Sequence, residues 1–462
     1  MPARSNAAAI AAFVFLSTVA VAQSRVTIEQ AAPVFTALPS NLPAGLRGRS
    51  PQEIARLWPA WVERHDRDVR ARLERGDEDS LVNFWLYGTS FTAHPPAVAR
   101  DSPLPDSALE NVRKGRLEDL LDRVTSPGDN ERLQFARRVL AAHDADPALP
   151  GGRNRARRFL LDVRQRMVRE FAGTDQALAA ARPGGNGPLT AANATIFRER
   201  GLSSDTSLLS DFGVHAALEM IVKLRTLAPG SVRRVAVVGP GLDFTNKADG
   251  YDYYPQQTIQ PFALIDSLRR VGLAAAGMQV TTFDINTRVN DHVRNATARA
   301  RSGPPEGGPY IVTLPLDGRE AWTGAVLTYW QQWGNMIGDE APAVAPPRQA
   351  GAVKTRSIRI QPSVVSSIAA RDLNIVVDRL PVLGDERFDL VVATNVLLYY
   401  DVFEQALAAA NVAAMLRPGG VFVTNTAVLP TPPLGASASY LRITHTQKRY
   451  DEIFWYQREN RQ

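Results

Sequence analysis

The sequence predicts an α/β protein in which a helical N-terminal region precedes a mostly parallel, doubly wound sheet. Three observations predict this architecture. Apolar residues recur at helical spacing between residues 51 and 181. After Ser204, short and fully apolar runs alternate with helical patterns, and several of these runs end in glycine, aspartate or asparagine. Because strands buried on both faces appear as continuous apolar runs, this alternation indicates a parallel sheet covered by helices.

Length and composition indicate a globular protein of more than one domain, because 462 residues exceed one ordinary domain and 45% are hydrophobic. The net charge is +6, but no basic run interleaved with aromatic residues appears, so nucleic-acid binding is not indicated. The absence of cysteine excludes disulfides, thiol catalysis and cysteine-ligated metals. The six histidines are scattered without a ligand-pair spacing, so no metal site is predicted.

The first 22 residues have the layout of a secretory signal peptide. Arg4 precedes an apolar stretch over residues 7–22, which ends in the small-x-small triplet 20–22, and Gln23 begins a polar segment. As a helix this stretch is about 24 Å long, shorter than the ~30 Å hydrocarbon core. We therefore expect cleavage, no remaining membrane span and a periplasmic or extracellular location; a leader that is not used would leave the protein in the cytoplasm.

Residues 23–50 contain several prolines and glycines and are predicted to be an extended linker. A helical domain is predicted over residues 51–204. Its first helix begins with Ser50 as N-cap and Glu53 three residues later, and Pro59 is expected to kink or split it. Further helices are predicted near residues 77–88, 106–124, 129–144 and 152–181.

Residues 205–462 are predicted to form one α/β domain, with insertions near residues 245–260 and 318–356. Two stretches at its end are rich in β-branched and aromatic residues and are predicted to form a terminal antiparallel pair. The predicted strands cover residues 235–238, 279–284, 310–314, 388–395, 420–425, 439–446 and 452–457.

The ends of the predicted strands are the places to look for a ligand, because pockets of such sheets lie beyond the carboxyl ends of the strands. The first strand ends in Gly239-Pro240-Gly241, where glycine lets the backbone pass close to a ligand. The second ends in Asp284, whose carboxylate is suited to accept hydrogen bonds from two ribose hydroxyls. NAD-binding folds share this arrangement, so these two ends leave the cofactor open.

Four later segments occur in order: residues 373–374, 388–392, 395–401 and 416–420. In this order the sequence resembles the class I methyltransferases that depend on S-adenosylmethionine, and residues 394–400 most resemble the chemotaxis-receptor branch. The resemblance covers roughly residues 211–460. It implies a seven-stranded Rossmann-like sheet with a terminal antiparallel hairpin, S-adenosylmethionine as cofactor, and methyl transfer by positioning to an unknown small-molecule or protein acceptor.

The resemblance also implies roles for residues at the strand ends. The glycines would lie under the methionine part of the cofactor, Asp284 would hold the ribose, and Asp372 with Leu373 would flank the adenine. Asn395 would line the pocket near the reacting centre. The implied cofactor-binding set is Gly239, Gly241, Asp243, Asp284, Asp372 and Leu373.

The sequence departs from the family pattern at three places: the glycine motif, the spacing that follows it, and the second insertion. After Gly241 the third glycine of the usual motif is replaced, since Leu242-Asp243-Phe244 follows. Asp284 lies 45 residues after Gly239, about twice the usual spacing. The extra segment leaves the pocket mouth and is interpreted as a substrate loop or as a surface-packed decoration. Its polar and aromatic residues are Tyr251, Tyr253, Tyr254, Gln256 and Gln257.

The second insertion carries Trp322, Tyr329, Trp330 and Trp333, which form either a binding platform or, given their helical spacing, part of the core.

The leader and the methyltransferase pattern conflict, because the cofactor is made in the cytoplasm and the leader directs export. One hypothesis is an active methyltransferase. The alternative is an exported, non-catalytic binding or structural protein that keeps the fold. A third, a pocket for another nucleotide-like ligand, is opposed by the Pro418-Gly419 turn and the predicted terminal hairpin.

Overall fold

The structure is a computed structural model that describes residues 23–97, 105–181, 201–243, 252–303, 308–316, 321–348, 354–435 and 438–459. The predicted leader and Tyr251 lie outside the described residues. The strands are β1 (Ser24–Arg25), β2 (Val232–Val238), β3 (Ala274–Asp284), β4 (Tyr310–Pro315), β5 (Gly338–Ala341), β6 (Thr355–Ile360), β7 (Ile368–Asp372), β8 (Asp378–Arg379), β9 (Phe388–Ala393), β10 (Leu416–Thr424), β11 (Ser439–Thr444) and β12 (Tyr450–Gln457).

The main sheet has seven strands in the order β11-β12-β10-β9-β2-β3-β7. Strands β7, β3, β2, β9 and β10 are parallel, whereas β12 runs antiparallel to both β10 and β11. This confirms the predicted mostly parallel seven-stranded sheet with a terminal antiparallel hairpin. The chain leaves β2 toward β3 and β7 and returns to β9 on its other side, so the topological switch point lies between β2 and β9.

Helices cover both faces of this sheet. The helices are α1 (Ile28–Ala37), α2 (Pro51–Tyr87), α3 (Asp106–Thr125), α4 (Glu131–Ala142), α5 (Gly152–Ala181), α6 (Leu208–Lys223), α7 (Gln260–Arg270), α8 (Thr287–Ser302), α9 (Gly324–Gln332), α10 (Pro362–Val365) and α11 (Val402–Met415). Because side chains alternate along a strand, Val235 and Val237 pack with α6 and α7, while Ala236 and Val238 pack with α1 and α11.

Helix α2 connects the helical region with the sheet. Ser50 and Glu53 form the predicted capping box at its start. The helix continues through Pro59 without a break, because Trp58 and Trp61 on either side of the proline are buried against the α11 face of the sheet. The last turns of α2 belong instead to a separate apolar cluster with α3, α4 and α5.

The segment predicted to be an extended linker is instead packed and partly helical. Thr27 forms a capping box at the start of α1, whose Val34 is buried. The Trp58 indole N–H donates to the Val26 carbonyl at 2.8 Å, and β1 pairs with β8. The apolar residues among the prolines supply a buried face, and this packing overrides the turn-like composition of the segment.

Strand β4 does not join the main sheet, but forms a three-stranded antiparallel sheet with β5 and β6. The outer parallel strand is β7, which the pattern of apolar runs does not indicate. In the second insertion Trp330 and Trp333 are fully buried and Tyr329 nearly so, which makes this cluster part of the core.

Candidate functional site

A cleft opens at the carboxyl ends of β2, β3 and β9, beside the switch point. We call it the central cleft. Its wall combines the strand ends, the segment 202–207 that precedes α6, and the turn that follows β9. The predicted site residues in this wall are Gly239, Gly241, Asp284, Leu373 and Asn395.

The two glycines adopt the left-handed backbone that favours glycine, with φ of +65° at Gly239 and +70° at Gly241. A Cβ atom on Gly239 would lie 2.5 Å from Val396 Cγ2, and one on Gly241 would lie 2.8 Å from Thr206 Cβ. No larger residue fits here without displacing its neighbours. This part of the cleft wall is therefore formed by backbone atoms without a side chain.

Asp284 ends β3 and is half-buried in the cleft wall. The Asn286 backbone N–H donates to its Oδ1 at 2.8 Å, and the carboxylate has no side-chain partner in the described part of the chain. Burial raises the pKa of Asp284 to about 7, although the backbone hydrogen bond from Asn286 acts in the opposite direction. The carboxylate is thus available to accept hydrogen bonds from a ligand.

Asp372 and Leu373, predicted together, separate in the structure. Leu373 lines the central cleft, but Asp372 is absent from its wall. The carboxylate of Asp372 is bound by both terminal nitrogens of Arg70 from α2, at 2.5 and 3.0 Å. Arg70 also donates to the Ile285 carbonyl at 3.2 Å. The sequence predicts Asp372 beside the adenine, whereas the structure shows its carboxylate bound by helix α2 and absent from the cleft wall.

Asp243, predicted to bind the cofactor, is also held elsewhere. It stands where the third glycine of the motif is expected and adopts the same left-handed backbone, with φ of +65°. Its buried carboxylate is bound by Arg132 of α4, with Nε 2.5 Å from Oδ2 and Nη2 2.7 Å from Oδ1. The bidentate pair directs Asp243 toward the helical region, so the side chain does not line the cleft.

Asn395 lies in the cleft wall with a fixed side chain. Its backbone is left-handed, with φ of +58°. Its Nδ2 donates to Ser210 Oγ at 2.9 Å, and its Oδ1 accepts from Asn425 Nδ2 at 2.7 Å. These contacts join the turn after β9 to the start of α6.

The predicted substrate loop does not reach the central cleft in the described residues. Gln257 is fully buried and exchanges two 2.8 Å hydrogen bonds with the backbone of Thr313. Tyr254 is buried, and its carbonyl accepts from Arg132. Gln256 reaches α4, where its N–H donates to Glu131, and Tyr253 packs edge-on against Tyr254. The segment is a packed connection, because Gln257 satisfies the backbone of β4, and side chains of α4 bind the backbone of Tyr254 and Gln256.

Helix α2 and the segment 202–207 form one side of the cleft, and sequence reasoning misses both. Arg72 of α2 donates to the Tyr399 carbonyl, and the Leu202 N–H donates to the Arg72 carbonyl at 3.0 Å. A Cβ on Gly76 would lie 1.8 Å from the Leu202 carbonyl oxygen, so helix and segment touch through backbone. The only sequence signal is the glycine pair Gly76 and Gly201, which indicates a close approach but not its partner.

Within the described ranges, no group of three or more histidine or acidic side chains is arranged to hold a metal ion. None of the helices that the structure describes combines the length and the hydropathy needed to cross a membrane.

No protein-family model matches the chain, and no curated protein matches it in sequence. Solved structures do match. The N-methyltransferase NodS from Bradyrhizobium japonicum WM9 is 13% identical, with 54% of this chain and 97% of that chain covered and a TM-score of 0.25. An O-methyltransferase from Bacillus cereus, in complex with SAH, is 12% identical over 58% and 87% of the two chains, with a TM-score of 0.24.

A third match is the magnesium protoporphyrin IX methyltransferase from Synechocystis PCC 6803, solved with bound SAM. It is 11% identical over 54% of this chain and 81% of that chain, with a TM-score of 0.26. At these identities and TM-scores we take the fold from the strand order of the main sheet alone.

Proposed function

We propose that this chain is an S-adenosylmethionine-dependent methyltransferase. The observation that best supports the proposal is the central cleft. Asp284, for which the described residues supply no side-chain hydrogen-bond partner, ends the strand beside two glycines of left-handed backbone, next to the switch point.

The residues present fit this cofactor. Asp284 would accept hydrogen bonds from the ribose hydroxyls, and the side-chain-free backbone at Gly239 and Gly241 would lie beside the methionine part. Leu373 supplies an apolar wall for the adenine, without help from Asp372. The cofactor, when bound, supplies a methyl group on a sulfonium, and transfer to an acceptor lone pair leaves a neutral thioether. The chain then contributes mainly position, which suffices for an in-line displacement.

Asn395 would border the reacting centre as a positioning residue. Its amide is held by Ser210 and Asn425, so it keeps one orientation while ligands bind and leave. Segment 202–207 and α2 would cover the cofactor and exclude water. The likeness to chemotaxis-receptor methyltransferases is confined to residues 394–400 and does not identify the acceptor.

Calorimetry of the purified chain with S-adenosylhomocysteine tests the proposal directly. We expect a saturable heat with one site per chain. Absence of heat at high micromolar ligand would remove the enzyme and favour the alternative, an exported non-catalytic protein with this fold. The pairing of Asp372 with Arg70 and the loss of the third glycine are the observations that favour that alternative.

We also propose that the protein is exported, on the basis of its first 22 residues. N-terminal sequencing of the native protein checks this. A start at Gln23 supports export, whereas an intact Met1 contradicts it.

A further inference from the structure

One buried amide in the wall of the central cleft has an oxygen to which the described chain donates no hydrogen bond. Gln260 is the first residue of α7, and only 4% of its surface is exposed. Its Nε2 donates to Thr394 Oγ1 at 2.5 Å, whereas its buried Oε1 has no hydrogen-bond partner among the described residues. Because buried polar atoms nearly always have a partner, the donor to this oxygen is expected from a ligand or from water.

Gln260 lies at the switch point of the main sheet. It lines the cleft together with Gly239, which follows β2, and Thr394, which follows β9. These two strands are neighbours on either side of the switch point, where ligands of such sheets bind. Under the proposed function the methionine part of the cofactor lies beside Gly239, so Gln260 is next to that part of the ligand.

The backbone around Gln260 does not supply the missing donor. The Thr258 N–H donates to the Tyr310 hydroxyl at 2.8 Å, and Pro261 has no N–H to give. The amide is therefore held at one end by Thr394 and open at the other.

The open oxygen indicates which ligand group would lie beside it. In the methionine part of the cofactor, the carboxylate and the sulfonium have no N–H or O–H to donate, whereas the ammonium has three N–H groups. A hydrogen bond from an ammonium is charge-assisted and stronger than one between neutral groups. The described wall of the cleft contains no lysine, arginine or histidine that would repel an ammonium.

We propose that Gln260 is a specificity-determining residue that binds the ammonium group of the ligand through Oε1. This inference rests on the proposed function, and it gives α7 a contact that neither the glycines nor Asp284 supplies. Thr394 is then a positioning residue, because its hydroxyl holds the amide with Oε1 available to the ligand. A ligand without the amino group would leave this oxygen without a donor and bind more weakly.

Two ligands that differ in one group test this contact by calorimetry. One is S-adenosylhomocysteine, and the other is its deamino analogue, which keeps the adenosine, the thioether and the carboxylate. Each is titrated into the parent chain, Gln260→Met and Gln361→Met. Methionine has nearly the size of glutamine but no amide oxygen. Gln361 is exposed just before α10 and lies outside the cleft wall, so it provides the matched control.

We expect the parent chain to bind S-adenosylhomocysteine about ten-fold more tightly than the deamino analogue, the scale of a hydrogen bond to a charged group. Gln260→Met should weaken S-adenosylhomocysteine and leave the analogue nearly unchanged, so that the preference falls to about two-fold or less. Gln361→Met should keep the parent preference. An equal preference in the parent chain and in Gln260→Met would overturn the inference and would mean that water alone serves Oε1.

A third ligand, the decarboxylated analogue, shows which group the amide contacts. It keeps the amino group, so Gln260→Met should weaken it as much as it weakens S-adenosylhomocysteine. Unchanged affinity for this analogue in Gln260→Met would mean that the amide contacts the carboxylate, which contradicts ammonium recognition.

Gln260→Glu provides the test if Gln260→Met does not fold. Its carboxylate keeps an acceptor and adds a negative charge, so the preference for the ligand with the amino group should exceed that of the parent chain. A preference that is unchanged or smaller would contradict the proposed contact.

The parent chain separates this inference from the proposed function. If S-adenosylhomocysteine does not bind to it, the proposed function fails. If S-adenosylhomocysteine binds with a preference that does not depend on Gln260, only the role of Gln260 fails.

Discussion

The ends of β3 and β7 carry aspartates that lie opposite each other in the parallel register, Asp284 beside Asp372. The two ends are equivalent in the sheet but differ in what covers them. Arg70 of α2 binds both oxygens of Asp372. Asp284, one strand nearer the switch point, accepts a backbone N–H from Asn286 and has no side-chain partner among the described residues.

Under the proposed function, the strand-end acid that binds the ligand is the one for which the described residues supply no hydrogen-bonded cation. Asp243, after β2, extends the comparison, since Arg132 binds it as fully as Arg70 binds Asp372, but in a buried setting. The three acids therefore define a series: one buried and paired, one available, and one paired near the surface. Substitutions at each should produce effects of different kinds.

The largest effect is expected on stability at the buried pair. Arg132→Leu leaves the Asp243 carboxylate buried without its partner, which should lower the free energy of unfolding by about 3–5 kcal/mol. Urea denaturation measures this. The double variant R132L/D243G should recover part of the loss, because glycine removes the charge and suits the left-handed backbone at this position.

Arg137 on the same helix is the matched control for Arg132. It pairs with Asp146 at 3.2 Å and is more than a third exposed, so Arg137→Leu should cost no more than about 1 kcal/mol. Similar losses for the two single variants would mean that burial of the Arg132 pair does not govern its contribution.

The next effect is on cofactor affinity. Asp284→Ala removes the hydrogen-bond acceptor proposed for the ribose and should weaken S-adenosylhomocysteine binding by about 1.5–3 kcal/mol, the scale of hydrogen bonds to a charged group. Calorimetry measures this loss against Asp291→Ala, an exposed acid on the following helix whose removal should leave the affinity unchanged. An unaltered affinity in Asp284→Ala would mean that the ribose role belongs to another residue.

The pH dependence of binding follows from the same carboxyl. The pKa of Asp284 is raised from 3.8 to about 7 by burial. Below this pKa the protonated carboxyl is the weaker acceptor, so affinity should fall by about ten-fold from pH 8 to pH 6 if only the ionised form binds. Titrations by calorimetry across this range test it, with Asp284→Asn expected to give a flat profile. A flat profile in the parent chain would contradict the raised pKa.

The raised pKa of Asp284 also makes the free energy of unfolding depend on pH. The folded chain without ligand holds a proton on Asp284 between about pH 4 and 7 that the unfolded chain releases. The contribution of this group to stability therefore falls as pH rises through that window. Ligand binding, which favours the ionised form, shows the opposite trend.

The positions of several strand ends were predictable from the sequence, because buried parallel strands are local apolar runs and their ends carry glycine and acid residues. Gly239, Gly241 and Asp284 came from this local signal. The partners of Asp243 and Asp372 were not predictable, since Arg132 and Arg70 lie 111 and 302 residues away along the chain. Strand β7 was missed because an insertion precedes it and its five residues include two charged ones.

The continuous course of α2, which forms one side of the cleft, could not be predicted from its local sequence. Pro59 indicates a break in α2, but burial of Trp58 and Trp61 keeps the helix continuous for 37 residues. That length lets Arg70 reach the Ile285 carbonyl and Arg72 the Tyr399 carbonyl, two residues of the central cleft wall. Tertiary packing therefore decides which strand-end acids remain available to a ligand. Such packing depends on residues far apart in the sequence, so no single segment predicts it.

The smallest effect is expected at Asp372. Substitution there tests directly whether Asp284 and Asp372 differ in their role. Asp372→Asn keeps the shape of the side chain and removes a charge already bound by Arg70, in a pair whose two side chains are each 32% exposed. Stability should change by no more than about 1 kcal/mol, as for other solvent-accessible pairs. Affinity for S-adenosylhomocysteine should change less than about three-fold, which is a smaller effect than the loss expected for Asp284→Ala. A loss as large as that of Asp284→Ala would show that Arg70 releases Asp372 when the ligand binds, and that both strand ends, rather than one, hold the cofactor.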